Sequence, residues 1–144
     1  MKEKNMSNKD AKVLKATNYI RQENDEYFLM GLQCKSCNSI FVDERTSCGK
    51  CFARDALAEL KLANTGKLYS YSIVHRSFPG IDVPYVSAIV DLDGGGTIKG
   101  NLIDVKMNPE DITFDMKIKV VFRDALGRKD QEGNSYTSFF FAPI

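Results

Sequence analysis

The sequence predicts a mainly β fold, a small cysteine-held module followed by a five-stranded barrel. Three observations carry this reading. All four cysteines fall between positions 34 and 51 as two CxxC pairs. Five segments with strand-type apolar patterning follow within about 75 residues. A cap-and-proline signal, Asn108-Pro109, lies between the third and fourth of them. A chain of 144 residues with 43% hydrophobic content supports one modest core.

The first module is organised by its cysteines. Residues 1–26 read as an N-terminal tail, rich in Lys2, Lys4, Lys9, Lys12 and Lys15, with a short helix over Ala11 to Arg21. From Tyr27 the pattern changes. Tyr27 to Gln33 runs into the first CxxC and Ile40-Phe41-Val42 leaves it, which predicts a strand, a tight turn and a return strand. Asn38, just after Cys37, tolerates the left-handed backbone that such turns need. Gly49 loosens the second turn, and Phe52 stands after Cys51 where many such turns have glycine, which predicts a differently shaped second turn. Cys34-x2-Cys37 and Cys48-x2-Cys51 offer four soft ligands, two per turn, and close a tetrahedral shell of zinc at about 2.3 Å from sulfur. A closed shell is structural, because zinc catalysis needs an open position. One zinc ion on Cys34, Cys37, Cys48 and Cys51 is therefore expected, with iron in the same cage as the rival that ligand softness does not separate. Residues 27–56 thus read as a rubredoxin-like zinc ribbon, and 57–144 as the barrel.

The barrel elements follow in order. Leu68 to Val74 alternates, with Tyr69, Tyr71 and Ile73 expected on one face and Ser70 and Ser72 on the other. Tyr85 to Leu92 is a mostly apolar run that suits a strand buried on both faces. Gly94-Gly95-Gly96 marks a hairpin turn before a returning strand, Thr97 to Val105. Asn108 should cap a short helical turn with Pro109 at its first position. Met116 to Arg123 places Ile118, Val120 and Phe122 inward, a charged turn spans Gly127 to Asn134, and the last strand lies around Tyr136 to Phe141. Five strands with a helical element between the third and fourth match an OB-type barrel; a β-sandwich usually has about seven.

The chemistry available is sparse. The cysteines are committed to metal, leaving no thiol nucleophile. His75 stands alone, with no GxSxG elbow or HExxH helix around it. The glycine run lacks the Lys-Ser/Thr of a phosphate loop, and Asp91 with Asp93 reads as a solvated turn. No catalytic residue is assigned. No apolar stretch resembles a signal peptide or a membrane span, so the chain reads as cytoplasmic, with reduced thiols. Charge is balanced, 20 Lys+Arg against 19 Asp+Glu, and residues 57–144 hold ten against eleven, a net −1. That argues against single-stranded nucleic acid, the partner that zinc ribbons and OB barrels otherwise suggest. One stretch stands out for binding. His75 to Tyr85 joins two strands and contains Arg76, Phe78 and Tyr85 with two prolines, so a cation and aromatics are presented at low ordering cost. The ordinary alternative is a connection whose aromatics fold back onto the barrel.

The order of these pieces resembles the family of zinc-ribbon proteins with a C-terminal OB-fold that accompany acyl-CoA enzymes, long catalogued as a domain of unknown function. The residues that carry it are the Cys34-Lys-Ser-Cys37 and Cys48-Gly-Lys-Cys51 knuckles, Gly66-Lys-Leu-Tyr-Ser-Tyr-Ser-Ile-Val-His-Arg76, and Pro84-Tyr85. Asp91-Leu-Asp-Gly94, Gly100-Asn101-Leu102 and Val120-Val-Phe122 continue it. The usual N-terminal helical segment is abbreviated, and the second knuckle lacks its common proline and trailing glycine. The resemblance implies a non-catalytic accessory subunit in a hetero-oligomer with a thiolase-like catalytic subunit, or with a hot-dog-fold enoyl-CoA hydratase. The family includes the small subunit of a benzoylsuccinyl-CoA thiolase, which cleaves an aromatic β-ketoacyl-CoA in anaerobic toluene degradation. It implies that the partner supplies the reacting groups, and it leaves open whether this subunit touches the CoA thioester. Arg76, Phe78 and Tyr85 become the expected partner- or substrate-facing residues.

Overall fold

The computed structural model describes residues 12–144. Its first strands are β1 (Val13–Lys15), β2 (Ile20–Glu23), β3 (Glu26–Cys34), β4 (Ile40–Phe41) and β5 (Leu57–Lys61). The rest are β6 (Thr65–Val74), β7 (Tyr85–Leu92), β8 (Thr97–Leu102), β9 (Lys117–Lys129) and β10 (Ser135–Pro143). A 3-10 turn, Pro109–Asp111, lies between β8 and β9. Among the described residues no helix is long and apolar enough to cross a membrane.

Five strands close the barrel. β6 pairs antiparallel with β7 and β9, β7 with β8, and β9 with β10. Closure comes from a parallel contact of β10 with β8 at Phe141 and Leu102. This is the strand order of an OB-fold, with the 3-10 turn in the place the sequence predicts. Inside lie Leu68, Val86, Ala88, Val90, Leu102, Ile118, Val120, Phe139 and Phe141, so Ile118 and Val120 point inward as expected, with Phe122 packed at the edge of the core.

Several elements differ from the sequence reading, each for a physical reason. The part of the expected helix that lies within the described residues is two short strands joined by a turn at 16–19. β1 pairs parallel with β10, and β2 pairs antiparallel with β3; open strand edges outcompete a weak local helical preference. A register shift between Leu68 and Ser70 breaks the alternation of β6. Leu68 is buried and Tyr69 is 63% exposed, whereas Tyr71 and Ile73 pack against the core. A bulge inserts one residue and so exchanges faces. β7 is buried on one face only, through Val86, Ala88, Val90 and Leu92, because antiparallel sheet leaves its other face to solvent. β8 stops at Leu102, and Asp104 turns the chain at φ 59. β9 continues to Lys129, so the tight turn is confined to residues 130–134. Asn108 occupies the cap position but its side chain caps nothing; its amide donates instead to the Asp111 carboxylate at 3.4 Å.

The turn after β9 is held by one carboxylate. Asp130 Oδ1 accepts from the Glu132 and Asn134 N–H groups at 2.9 and 2.8 Å, and Oδ2 accepts from the Asn134 amide at 2.8 Å. The Asn134 side chain and then its backbone N–H hold the Asp130 carboxyl below its ordinary value. Asn134 Oδ1 in turn accepts from the Lys12 N–H at 2.7 Å, tying the start of the described chain to this turn.

The cysteine module and the barrel share one core. β5, which the sequence reading placed with the barrel, pairs with β3 from Met30–Lys61 to Cys34–Leu57 and completes the ribbon sheet. Ile20, Leu29 and Leu62 join the same buried cluster as the barrel residues. Leu62 sits at the junction: a Cβ at Gly31 would meet its Cδ2 at 2.7 Å, and one at Gly96 would meet it at 3.6 Å. Ile40 lies over Gly95, whose added Cβ would come within 2.5 Å of Cδ1. The three-glycine hairpin, with φ of 82, 122 and 99, is thus both a turn and a bare surface for the ribbon. Tyr27 stacks on Phe122 and Tyr19 tilts onto Phe139, with centroids at 5.6 and 5.8 Å. Leu62→Ala should cost about 2–5 kcal/mol, read as a lower unfolding midpoint. It should unfold ribbon and barrel in one transition; two separate transitions in wild type would contradict a shared core.

Candidate metal centre

Each CxxC is a backbone-locked turn. Cys34 ends β3, its N–H donating to Ser39 O at 2.9 Å, and the Asn38 N–H donates back to Cys34 O at 2.9 Å. In the second turn the Cys48 N–H donates to Ala53 O at 3.0 Å and the Phe52 N–H to Cys48 O at 3.1 Å. The two knuckles match in conformation, since Asn38 has φ 65 and Phe52 has φ 64. The expectation that Phe52 gives the second turn another shape is therefore not met. Phenylalanine adopts the left-handed backbone that glycine would adopt freely, at a cost of about 1–2 kcal/mol.

The four sulfurs converge, all lying within 4.8 Å of one another. Cys34 and Cys51 Sγ are 3.7 Å apart, and Cys37 and Cys48 Sγ 3.5 Å apart. Tetrahedral coordination with bonds of about 2.3 Å puts sulfurs about 3.8 Å apart, so the arrangement can hold one such ion. Backbone N–H groups already face the sulfurs. Ser36 N–H donates to Cys34 Sγ at 3.4 Å, and Lys50 and Cys51 N–H groups to Cys48 Sγ at 3.3 and 3.4 Å. The Ser39 hydroxyl stands 3.2 Å from Cys37 Sγ, a neighbour the sequence reading passed over although it lies two residues beyond the ligand.

Without a cation these thiols ionise unequally. The Ser39 side chain and then its backbone N–H lower Cys37 to about 6. The Cys51 N–H, with that of Lys50, lowers Cys48 against the opposing effect of desolvation. At Cys51 the Ala53 N–H favours the thiolate, but desolvation and the neighbouring Cys34, Cys48 and Cys37 outweigh it and push the thiol up to about 11. Four thiolates this close repel, and a divalent cation reverses that balance.

The other expected residues lie elsewhere. Val74, the last residue of β6, pairs with Tyr85, the first of β7, and residues 75–80 between them are all exposed. Phe78 is 80% exposed, so it does not fold back onto the barrel, whereas Tyr85 is half-buried. Arg76 and His75 are exposed, and among the described residues Arg76 makes no ion pair. The glycine run and the aspartates are structural: Thr65 Oγ1 donates to Asp93 Oδ2 at 2.6 Å and Thr97 Oγ1 to Asp91 Oδ1 at 2.7 Å.

Known proteins can be set beside this geometry. A family model described as the ChsH2 C-terminal OB-fold domain matches residues 60–123. A DUF35 domain-containing scaffold protein of Methanocaldococcus jannaschii is 35% identical over 138 residues, 94% of each chain. The solved Ltp2–ChsH2(DUF35) aldolase aligns with a TM-score of 0.62 at 26% identity, covering 81% of this chain and 84% of that one. Shorter matches reach a probable enoyl-CoA hydratase alpha subunit of Thermomonospora curvata, 28% identical over 65% of this chain and 28% of that one. Another reaches the benzoylsuccinyl-CoA thiolase subunit BbsA of Geobacter metallireducens, 33% identical over 45% of this chain and 43% of that one.

Metal analysis of freshly purified, reduced protein should give about one ion per chain, and Cys34→Ser or Cys51→Ser should lower content and stability together. A stoichiometry near zero would remove the metal centre. Because Cys37 is lowered to about 6 while Cys51 is pushed up to about 11, loading the metal-free protein must release protons at neutral pH, so apparent affinity should rise with pH from about 6 towards about 11. Calorimetry in buffers of different ionisation enthalpy measures this directly; binding heats that do not vary with buffer would contradict it.

Proposed function

The chain belongs to the DUF35 family, and from that membership we propose that it is a non-catalytic accessory subunit which completes an acyl-CoA-processing complex, with a thiolase-like enzyme as its catalytic partner. The observation that carries this reading is the likeness over 94% of the chain to a protein named as a scaffold. The chain's own chemistry agrees. All four of its thiols stand in one cluster, so none remains to form a thioester with substrate. The ion in that cluster is zinc in this reading, and with four sulfurs filling its shell its work is to hold the ribbon. The resemblance to BbsA supports a β-ketoacyl-CoA thiolase as partner. A hydratase partner is the second reading, favoured by the match to a hydratase alpha subunit over 94 residues, against 66 for the thiolase subunit.

The loop at 75–84 suits a contact with that partner. Its ends are pinned by the β6–β7 pairing, so Arg76 and Phe78 are displayed from a rigid base, where an aromatic and a guanidinium make the strongest anchors. Tyr85 borders the loop from the first position of β7.

Co-expression with a thiolase-like catalytic subunit should yield a stable complex, with CoA-thioester cleavage that requires both subunits. Arg76→Ala with Phe78→Ala should weaken the complex at least tenfold and leave metal content unchanged. A catalytic subunit working at full rate alone would end the accessory reading. Complex formation with a hydratase instead would select the second reading, and submicromolar single-stranded DNA or RNA binding with a steep salt slope would replace both.

A further inference from the structure

Among the described residues, eight non-glycine residues have positive φ: Asn24, Asp25, Asn38, Phe52, Asp55, Asp104, Asp115 and Leu126. Six are Asn or Asp, whose short polar side chains tolerate the left-handed region. The two exceptions are large and apolar. Leu126 lines an open cleft with Ala125 and Phe140, so it has neighbours of its own. Phe52 is the more exposed of the two, at 79% against 64% for Leu126, and stands at the tip of the second knuckle.

An exposed aromatic alone needs no explanation. One held in a conformation that penalises it, where Asn serves in the sister knuckle, does. Burial cannot be the reason, and the backbone bond from Phe52 N–H to Cys48 O would form equally well with glycine. The surroundings are cationic. Lys35, Lys50 and Arg54, which lie close to the cysteines in sequence, are all exposed, as is Asp55, and among the described residues none of the three cations is in an ion pair. The rigid metal-held turn lets a ring with two rotatable bonds dock at little further entropic cost.

We propose that Phe52 is an anchor by which the ribbon tip docks into an apolar pocket, rimmed by carboxylates, on the catalytic partner subunit. The proposal rests on the accessory-subunit reading and adds a second contact at the ribbon, separate from the loop at 75–84. Strain makes the role separable from stability, since glycine at 52 relaxes the backbone while removing the ring.

The test compares wild type, Phe52→Gly and Phe52→Tyr, each checked for metal content and thermal midpoint, then titrated against the purified thiolase-like subunit. Phe52→Gly should keep its metal and melt at or above the wild-type midpoint, yet bind at least tenfold more weakly, with Phe52→Tyr close to wild type. Added salt should weaken wild-type binding, and Lys50→Glu with Arg54→Glu should weaken it further. If Phe52→Gly binds within twofold of wild type, or loses metal or stability, the anchor is overturned while the accessory reading stands. If wild type does not bind the thiolase-like subunit, the thiolase reading falls and the anchor on that partner with it.

Discussion

Four sulfur atoms within 4.8 Å of one another form the constraint on which the ribbon depends. Two short turns separated by ten residues must be brought together in space, and without a cation the resulting cluster is a group of competing acids. Hydrogen bonds from Ser39, Lys50 and Cys51 make two of these thiols acidic, while crowding keeps the proton on Cys51. The cluster therefore carries negative charge that a bound cation would offset. Because Cys34 is also the last residue of β3, the geometry of the cluster is transmitted straight into the sheet.

β3 is the beam between the two parts. Its first half pairs with β2 and its second half with β5, and Tyr27 from its start stacks on Phe122 of the barrel. Leu62 follows β5 and fills the space between Gly31 and Gly96. The N-terminal strand works at the barrel's weak point. β8 and β10 meet at one register pair, and β1 occupies the remaining edge of β10 with Ala16 N–H bonded to Thr137 O at 2.8 Å. An unpaired edge would otherwise expose its donors and acceptors.

What this arrangement leaves on the surface is informative. The two most exposed aromatics, Phe52 and Phe78 at 79% and 80%, stand on different connections, one braced by the cysteine knuckle and the other by two paired strands. Both carriers are rigid at their bases and neither ring has a place in the core. A subunit that contributes surface rather than reacting groups needs such features, because its affinity must come from a few well-presented side chains.

Much of this was legible from residue order, for reasons that are local. CxxC spacing places two ligands on one turn, three glycines mark a hairpin, and the alternation around Ile118 and Val120 marks an inward face; each depends only on near neighbours. The failures were tertiary. Alternation in β6 was read with Tyr69 and Tyr71 on one face, but a bulge at that point exchanges them, and nothing in the run of tyrosines and serines announces it. Val13–Lys15 and Ile20–Glu23 form strands because β10 and β3 offer open edges, and β5 joins the ribbon because β3 lies beside it. Phe52 looked like a departure from a turn's usual sequence. That the knuckle keeps its shape and forces the ring into solvent is decided by four sulfurs meeting in space, which no single stretch of the chain contains.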